Sequence, residues 1–524
     1  MKLFRDFWAW VPVLVLALAT ACSVPAPDYP EGRAEWSFND NWKFYQGEAE
    51  GADAARFSDG DWRVVTVPHD WSIEGAFDRD NPTGRGGGYL PAGIGWYRKS
   101  FAVPRSAEGR KVWIHFDGLM ANSDVYINGE HLGHRPNGYV GIRYELTPHL
   151  LYGKENVLAV RLDNTLQPAS RWYTGAGIYR KVKLVVTEPV YVEENGVFVT
   201  TPEVSPEAAK VNVQTTMVNS GEAAEVELKS SLLGPDGSLV AENIVSQSVA
   251  AGERFTFEQD LQVAQPDLWS LDTPLLYTNV TELWVDGKQL DLLETPFGIR
   301  SFYFDAAKGF FLNEENIRLK GVCLHHDAGA VGAAVPLGVW EERLERLRQL
   351  GINAIRTSHN PFAPEFLDLC DRMGFFVMNE TFDTWRARKN NADYGYQLYF
   401  DEWWEADTRA VALRDRNHPS IFIISVGNEI RDNLNNEQGF ETYKMQQDLI
   451  HELDGTRPVT MALFRPNQAG VYQNGFAEMM DVVGQNYREN ELAEASRANP
   501  HWKVMGTENG HTRQAFLVWR DNPS

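Results

Sequence analysis

Residues 340–350 have the sequence Trp340-Glu341-Glu342-Arg343-Leu344-Glu345-Arg346-Leu347-Arg348-Gln349-Leu350, with apolar side chains at the spacing of an amphipathic helix. This helix lies between two short apolar runs, ending near Cys323 and Arg356, that are typical of buried strands. The alternation of strand and helix continues from about residue 302 to the end of the chain. Such a repeat predicts parallel strands closed into a barrel with helices outside, the (β/α)8 or TIM barrel.

The barrel region, which we place at residues 302–524, contains seven strand-like runs. They end near these residues: Cys323, Arg356, Asn379, Val426, Leu463, Gly484 and Gly506. A barrel of this type has eight strands, so the sequence has no run that would form the last strand. After Glu508 the sequence continues as a helical stretch to Trp519 and then residues 520–524. We therefore expect a truncated record or fragment, poorly stable or inactive, whose first and seventh strands have unpaired edges.

Two β-rich blocks precede the barrel. Residues 34–187 contain short alternating runs such as Val112-Trp113-Ile114-His115-Phe116, and Asn128-Gly129 is a hairpin signal, so this block predicts a β-sandwich. Residues 188–301 contain about seven candidate strands separated by turns, as at Gly234-Pro235-Asp236-Gly237. That length and strand number predict an immunoglobulin-like sandwich, and we find no catalytic chemistry in it.

The amino-terminal segment predicts export. Basic residues precede an apolar run at residues 7–18, and small residues then lead to Cys22, which is the order of a secretory signal in residues 1–22. The run is too short for a spanning helix. The segment is similar to a bacterial lipoprotein signal, in which Cys22 is lipidated, although Ala19-Thr20-Ala21 also fits ordinary signal cleavage. Residues 23–33 are Pro-rich and polar, which is typical of a tether.

Composition narrows the choice of partners. The formal charge is −23, from 72 acidic and 49 basic residues, which repels phosphate backbones and excludes nucleic acid as a partner. Only Cys323 and Cys370 follow the signal, and no Cys-x-x-Cys or His-rich spacing is present, so we expect no disulfide framework, no metal and no cofactor. We expect an exported protein, periplasmic or an outer-membrane lipoprotein, that touches a membrane only through its lipid. Oligomerisation stays open.

Two glutamates follow strand-like runs of the predicted barrel. Glu429 ends Ser425-Val426-Gly427-Asn428-Glu429, and Glu508 ends Val504-Met505-Gly506-Thr507-Glu508. A single carboxylate at such a place is as often the cap of the next helix. Two carboxylates brought by separate strands to one barrel mouth are what acid-assisted cleavage of a glycosidic bond requires.

From about residue 36 to the end, the chain resembles glycoside hydrolase family 2, which includes β-galactosidases and β-glucuronidases. The resemblance rests on Asn428-Glu429 and Glu508-Asn509-Gly510 and on four further stretches: SRWYTGAGIYR at 170–180, RLKGV at 318–322, NAIRTSHNP at 353–361 and GQNY at 484–487. It implies that the first domain is a jelly roll similar to sugar-binding domains. It also implies hydrolysis with retained anomeric configuration.

The resemblance assigns the two carboxylates. Glu429 is the acid/base and Glu508 the nucleophile, and a retaining enzyme holds such carboxyl groups about 5 to 5.5 Å apart. Since like charges at that distance disfavour each other, we expect Glu429 to keep its proton near neutral pH while Glu508 stays ionised. Glu429 would then protonate the departing oxygen, and Glu508 would attack the anomeric carbon.

The resemblance also implies substrate-binding roles. Asn428 would donate to the sugar 2-hydroxyl, Tyr487 would donate to the nucleophile, and Arg356 would help to keep Glu508 charged. A Tyr or Arg at a strand end can also simply cap and pack. His325 and His359 match positions that contact sugar hydroxyls, and a structural role is as frequent for a histidine.

Four further residues are compared with positions of the family. In the first domain, Asp70 and Asn137 lie near positions that reach the pocket in β-galactosidases, although Asn137 before Gly138 also suits a turn. Large bacterial β-galactosidases bind magnesium through a Glu-x-His after strand three. Thr384 and Arg386 stand there, so we expect no such site.

The expected function is that of a retaining, exo-acting glycoside hydrolase, best described as a β-galactosidase that works on oligo- or polysaccharide-derived glycosides. A β-glucuronidase is the alternative within the family, whose Asn-x-Lys signature for the sugar carboxylate lies beyond strand eight. A non-catalytic glycan-binding lipoprotein on a hydrolase scaffold is the alternative from another class. It would have little reason to keep Glu429, Glu508, Asn428 and Tyr487 together.

Overall fold

The structure, a computed structural model, describes residues 30–521. The signal predicted for residues 1–22, with Cys22, and most of the tether predicted for residues 23–33 lie outside the described residues. Within the described part of the chain, no helix is long and apolar enough to cross a membrane.

The first domain is a sandwich of ten antiparallel strands. They are β1 (Ala34–Ser37), β2 (Trp42–Gln46), β3 (Arg63–Val65), β4 (Ile94–Ala102), β5 (Lys111–Phe116), β6 (Ser123–Ile127), β7 (Glu130–Arg135), β8 (Ile142–Glu145), β9 (Glu155–Asp163) and β10 (Val182–Thr187). One sheet has the order β3-β2-β4-β9-β6-β7 and the other β1-β10-β5-β8. Val112, Ile114 and Phe116 of β5 are buried while the residues between them are partly exposed, as the alternating sequence predicts. The predicted sandwich is confirmed.

The second domain is a sandwich of seven antiparallel strands. They are β11 (Val190–Val204), β12 (Ala208–Asn219), β13 (Ala224–Leu233), β14 (Leu239–Val249), β15 (Arg254–Ala264), β16 (Tyr277–Val285) and β17 (Lys288–Phe297). The sheets have the orders β11-β12-β15 and β14-β13-β16-β17. Val211, Val213, Leu228 and Leu283 lie in the core between them. This arrangement agrees with the predicted immunoglobulin-like sandwich.

A small three-stranded sheet, which the sequence reasoning missed, follows the second domain. It consists of β18 (Phe302–Asp305), β19 (Gly309–Leu312) and β20 (Glu315–Ile317). The Phe310 ring centroid lies 5.0 Å from that of Phe376 and 5.3 Å from that of Phe422. Since those two residues begin neighbouring barrel strands, the small sheet covers the amino-terminal end of the barrel with apolar side chains.

The barrel region contains seven parallel strands in sequential order. They are β21 (Gly321–Leu324), β22 (Ala354–Thr357), β23 (Phe376–Glu380), β24 (Ile421–Asn428), β25 (Val459–Phe464), β26 (Val483–Asn486) and β27 (Val504–Glu508). The helices are α1 (Leu337–Gln349), α2 (Pro364–Met373), α3 (Phe400–Asp415), α4 (Glu437–Leu453), α5 (Glu489–Ala498) and α6 (Arg513–Asp521). Among residues 30–521, β21 and β27 are the edges of this sheet. The predicted barrel with one strand missing is confirmed.

Each barrel strand extends one or two residues beyond the end that its apolar run predicts. The strand placed to end near Val426, for example, ends at Asn428, and the one placed near Gly506 ends at Glu508. In five of the seven strands the last residue is polar and lies on extended backbone at the carboxyl mouth of the barrel: Thr357, Glu380, Asn428, Asn486 and Glu508. This geometry brings polar side chains of different strands to one place.

Close contacts fix the sandwich domains on the barrel. Arg180 of the first domain donates from Nη2 to the carbonyl oxygen of Pro361 at 2.8 Å. After α2, Gly374 adopts a φ of +67°, and a Cβ there would lie 2.1 Å from the carbonyl oxygen of Leu271. Only glycine therefore allows this approach of the end of α2 to the loop between β15 and β16 of the second sandwich.

Candidate active site

Two glutamates lie at the carboxyl mouth of the barrel. Glu429 directly follows β24, and Glu508 is the last residue of β27. Asn486, which ends β26, donates from Nδ2 to Oε1 of Glu429 at 3.2 Å and to Oε2 of Glu508 at 2.9 Å. Because one nitrogen reaches both carboxylates, the two oxygens lie no more than about 6 Å apart. The structure thus brings the two predicted carboxylates together and adds Asn486, which the sequence reasoning did not single out.

Glu508 accepts three hydrogen bonds. Besides Asn486, Arg356 donates from Nη1 to Oε2 at 3.1 Å, and the Tyr487 hydroxyl donates to Oε1. Burial and the adjacent Glu508 raise the pKa of Tyr487 well above its ordinary value, so its hydroxyl keeps its proton and donates. A cation and two neutral donors around one carboxylate stabilise negative charge on it.

Glu429 has a different environment. Its side chain is nearly buried and accepts a hydrogen bond from Asn486. Its charged partner is Arg431, with Nη2 3.9 Å from Oε2. Its backbone is left-handed, with a φ of +43°, and its N–H donates to the carbonyl oxygen of Ala462 on β25 at 2.8 Å. A non-glycine residue in this region is strained and is held there by its surroundings. The two carboxylates thus differ in the number and charge of their donors.

A buried ion pair lies next to Glu508. Arg356, near the end of β22, contacts Glu380, the last residue of β23, with Nη2 2.7 Å from Oε2. His359 Nδ1 is 2.6 Å from the other oxygen, and Ser425 Oγ donates to Oε2 at 2.8 Å. Burial alone would raise the pKa of Glu380, but Arg356 and His359 hold it below its ordinary value. Burial would lower the pKa of Arg356, but Glu380 and Glu508 raise it, so both groups are charged.

The amide of Asn428 is held from both sides. Its Oδ1 accepts from Arg356 at 2.9 Å and from Asn486 at 3.0 Å, and its Nδ2 donates to Asp383 Oδ1 at 2.8 Å. Since a side-chain amide carries two N–H groups, one hydrogen of Nδ2 is left for a ligand. The predicted sugar donor is thereby fixed in orientation.

Asp383 joins the first domain to the mouth of the barrel. Its Oδ1 accepts from Arg171 Nη2 at 2.8 Å and from Lys389 Nζ at 2.6 Å, in addition to Asn428. Burial would raise the pKa of Asp383, but Lys389, His359 and Arg171 lower it far below its ordinary value. Arg171 lies on the loop between β9 and β10, so one wall of the site comes from the sandwich.

The same loop supplies an aromatic ring. Trp172 stacks on His325 with centroids 5.2 Å apart, and its edge meets His359 at 5.6 Å. Burial and the neighbouring His359 lower the pKa of His325 to about 4, so this ring is neutral at pH 7. Its Nδ1 is buried and has no partner in the protein. Both predicted histidines therefore lie against the wall formed by Trp172.

Comparison with known proteins matches the three domains in chain order. The description "Glycosyl hydrolase 2 galactose-binding domain-like" matches residues 95–196, "Glycosyl hydrolases family 2" matches 190–300, and "Glycosyl hydrolases family 2, TIM barrel domain" matches 306–514. The chain belongs to glycoside hydrolase family 2. The family resemblance seen in the sequence is confirmed.

Relatives in family 2 include enzymes named for different sugars. The chain is 44% identical to "Beta-galactosidase BoGH2A" of Bacteroides ovatus, over 93% of this chain and 60% of that protein. It is 37% identical to a "Putative beta-glucuronidase" of Formosa agariphila, over 94% of this chain and 45% of that protein. The chain thus spans about half of the length of these curated relatives.

Solved structures of family 2 share the fold. A family 2 member from Bacteroides cellulosilyticus has a TM-score of 0.90 and 34% identity, covering 93% of this chain and 63% of that one. A β-glucuronidase 2 of Bacteroides uniformis, described as covalently bound to cyclophellitol-6-carboxylate aziridine, has a TM-score of 0.81 and 27% identity, covering 94% and 64%.

Two predicted sugar contacts have other partners in this family 2 chain. Asp70 is buried, and its carboxylate accepts from the Tyr173 hydroxyl at 2.6 Å and from the backbone N–H of Ala333 at 2.8 Å. Asn137 donates from Nδ2 to Asp407 of α3 at 2.8 Å. Both side chains join the first domain to the barrel, and none of these bonds places them beside the carboxylate pair. The substrate contacts predicted for both residues stay predictions.

Thr384 and Arg386, which stand where the magnesium motif was sought, have partners within the protein. Thr384 donates to the carbonyl oxygen of Ala387 at 2.7 Å, and Arg386 pairs with Asp401. Among the described residues, one group could supply three ligands to an ion: Asp368, Asp371 and His418. The ring of His418 already bonds to Asp371 at 2.5 Å.

The sequence reasoning missed several residues of this family 2 site. They are Glu380, Asp383, Lys389, Asn486, Arg171 and Trp172. Glu380 could have been found by the rule that identified Glu429 and Glu508, because it also follows an apolar strand. Asn486 stood in the quoted GQNY stretch, and Arg171 and Trp172 stood in the quoted stretch at 170–180.

Proposed function

We propose that this chain is a retaining, exo-acting glycoside hydrolase that removes terminal β-linked galactose. The observation that carries the proposal is the bridge from Asn486 Nδ2 to Glu429 and Glu508, which limits the separation of their nearest oxygens to about 6 Å. That spacing suits direct attack by one carboxylate, for which the two groups lie about 5 to 5.5 Å apart.

In the first step, Glu429 gives its proton to the glycosidic oxygen while Glu508 attacks the anomeric carbon. The bond to the leaving group breaks, and a glycosyl ester of Glu508 forms. In the second step, Glu429 takes a proton from water, which attacks the same carbon and releases Glu508. Arg356, Asn486 and Tyr487 support Glu508 as the nucleophile because they stabilise its charge before attack and as it leaves.

Asn428 is assigned to the sugar 2-hydroxyl. Its orientation is fixed by Arg356 and Asp383, and it retains one free N–H. A hydrogen bond to this hydroxyl strengthens as the transition state forms, so a preoriented donor favours the reaction. His325, His359 and Trp172 are assigned to the wall that contacts the sugar.

The galactose assignment is supported by the Bacteroides ovatus relative, which is named a β-galactosidase and is 44% identical to this chain. A β-glucuronidase is the second candidate, since a Formosa agariphila relative named a putative β-glucuronidase is 37% identical.

The proposal includes export with a lipid on Cys22. Its support is the order of basic, apolar and small residues that ends at Cys22. Radiolabelled palmitate fed to expressing bacteria should enter the parent protein and not a Cys22→Ala variant. Equal labelling of both proteins, or of neither, would rule out lipidation at this residue.

Proton NMR of an aryl β-galactoside during hydrolysis tests the reaction. We expect the β-anomer of galactose first, followed by slow mutarotation. If the α-anomer appears first, the double displacement is wrong. If an aryl β-glucuronide is cleaved faster than the galactoside, the sugar assignment is wrong and the mechanism stands.

A further inference from the structure

A groove of about 380 Å³ lies on the first domain, between strands β2 and β3 and the short turn Ser72–Glu74. Its volume lies within the roughly 300 to 1,000 Å³ of small-molecule sites. Its lining residues are separate from those of the catalytic mouth. The established site therefore does not account for it.

One wall of the groove is aromatic. Tyr45 stacks on Trp62 with ring centroids 5.4 Å apart and planes at 22°, and Trp62 is braced by the ring of Phe57 at 5.6 Å. Tyr45 is nevertheless 42% exposed. A braced and exposed aromatic ring provides a rigid apolar surface, to which the C–H face of a pyranose ring is complementary.

The opposite side of the groove is polar. Arg63 and Glu74 form an ion pair with Nη2 2.6 Å from Oε2, and both side chains are about half exposed. A sugar hydroxyl both donates and accepts, so it can bond to the carboxylate and the guanidinium together. Because the two charges are opposite, they favour a neutral ligand over a charged one.

Trp71 is a buried residue of the groove lining. It is 2% exposed, so its indole supplies a fixed apolar surface. A Cβ on Gly95 would lie 2.9 Å from its Nε1 and 3.2 Å from the ring of Phe44, another lining residue, so a side chain at position 95 would collide with both rings.

We propose that this groove is a second carbohydrate site, which binds a neutral pyranose unit of a glycan chain. The sugar ring lies against Tyr45 and Trp62, and a hydroxyl bonds to Arg63 and Glu74. The site would hold the polymer while the barrel removes its terminal sugars. The choice of a β-galactoside as probe and the role in hydrolysis rest on the proposed function, whereas the binding itself does not.

Affinity electrophoresis in native gels containing β-1,4-galactan tests the site. The full chain carries Glu508→Gln so that the polymer is not degraded. Tyr45→Ala in this background should weaken retention at least about tenfold, since a large apolar contact is lost. Tyr303→Ala is the matched control, because Tyr303 is 41% exposed and stacks on Phe311 outside the groove. It should be retained like the parent.

The melting temperature of each variant shows whether the fold is intact. Because Tyr45 is 42% exposed, Tyr45→Ala should change it little.

Two results would overturn the proposal. One is unchanged retention of a folded Tyr45→Ala protein. The other is retention that survives Tyr45→Ala and is lost with Trp172→Ala, because the catalytic mouth would then be the binding site. Cleavage of a small aryl galactoside by Tyr45→Ala with Glu508 intact should equal that of the parent. Because binding is measured without turnover, the binding result can be interpreted even if the chain lacks the proposed hydrolase activity.

Discussion

Arg356 and Glu380 form an ion pair whose side chains are 4% and 0% exposed, and the same guanidinium reaches Glu508 at 3.1 Å. The pair therefore lies between the core of the barrel and the carboxylate that performs the proposed attack. A buried ion pair of this kind orients its neighbours, and breaking it leaves an unpaired charge in the interior.

We expect Glu380→Gln to lower the free energy of unfolding by about 3 to 5 kcal/mol, because Arg356 and His359 lose their buried charged partner. Urea denaturation followed by far-UV circular dichroism measures it. Glu405→Gln is the control, since Glu405 and Arg409 form an exposed pair, and it should cost less than about 1 kcal/mol. Similar costs for the two variants would contradict the importance of the buried pair.

The two carboxylates should respond differently to removal. Glu508→Gln should abolish the glycosyl-enzyme with every substrate, because no nucleophile remains. Glu429→Ala should lose about 10²- to 10⁴-fold on a substrate with a poor leaving group and far less on a dinitrophenyl glycoside, whose leaving group needs no proton. Azide should restore turnover of that substrate. An equally inactive Glu429→Ala protein that azide does not rescue would refute the acid/base role.

Tyr487→Phe should lower kcat by about 10-fold or more, because a hydrogen bond to the charged Glu508 is lost. Tyr487 is 40% exposed, so the melting temperature should change little. Tyr303→Phe is a matched control, since that hydroxyl donates to Glu314 at 3.3 Å on the surface. If both variants keep full activity, the hydroxyl does not support the nucleophile.

His326 should make stability depend on pH. Its Nε2 is 3.0 Å from the carbonyl oxygen of Thr174, and burial together with Arg180 lowers its pKa to about 3. The unfolded value is about 6.5, so below this pH the unfolded state binds more protons. The contribution to stability is complete above about pH 6.5 and is lost as the pH falls toward about 3.

We therefore expect the parent to lose about 2 kcal/mol more than His326→Gln between pH 7 and pH 5, as measured by urea unfolding. Glutamine keeps an N–H donor and does not titrate in this range. His131→Gln, at an exposed position, should behave like the parent. Parallel pH dependence in the parent and His326→Gln would show that His326 is not responsible.

The barrel could be predicted because its strands are short apolar runs with helices between them. The polar ends of those strands were harder to assign. Glu429 and Glu508 were singled out by their flanking residues, whereas Glu380 has the same position on β23 and was passed over. The small sheet that contains Phe310 was also missed, since three strands of three or four residues give little periodicity.

Contacts between domains could not be predicted from local pattern. Arg171 and Asp383 are 212 residues apart, and nothing near either residue indicates the other. The bonds of Asp70 and Asn137 across the interface were likewise not foreseen, because a polar residue in a loop gives no sign of which surface it will meet. The signal predicted for residues 1–22 and the lipidation predicted for Cys22 lie outside the described residues and stay predictions.

The loop that carries Arg171 and Trp172 makes the candidate site a composite of residues from two domains with separate hydrophobic cores. A barrel excised at its own boundary would keep Glu429 and Glu508 and lose the wall that this loop supplies. Chimaeras that exchange barrels between relatives should therefore carry the jelly roll of the same relative. Substrate preference in such hybrids should follow the matched pair of domains, and mismatched hybrids should fold and yet fail to discriminate between sugars.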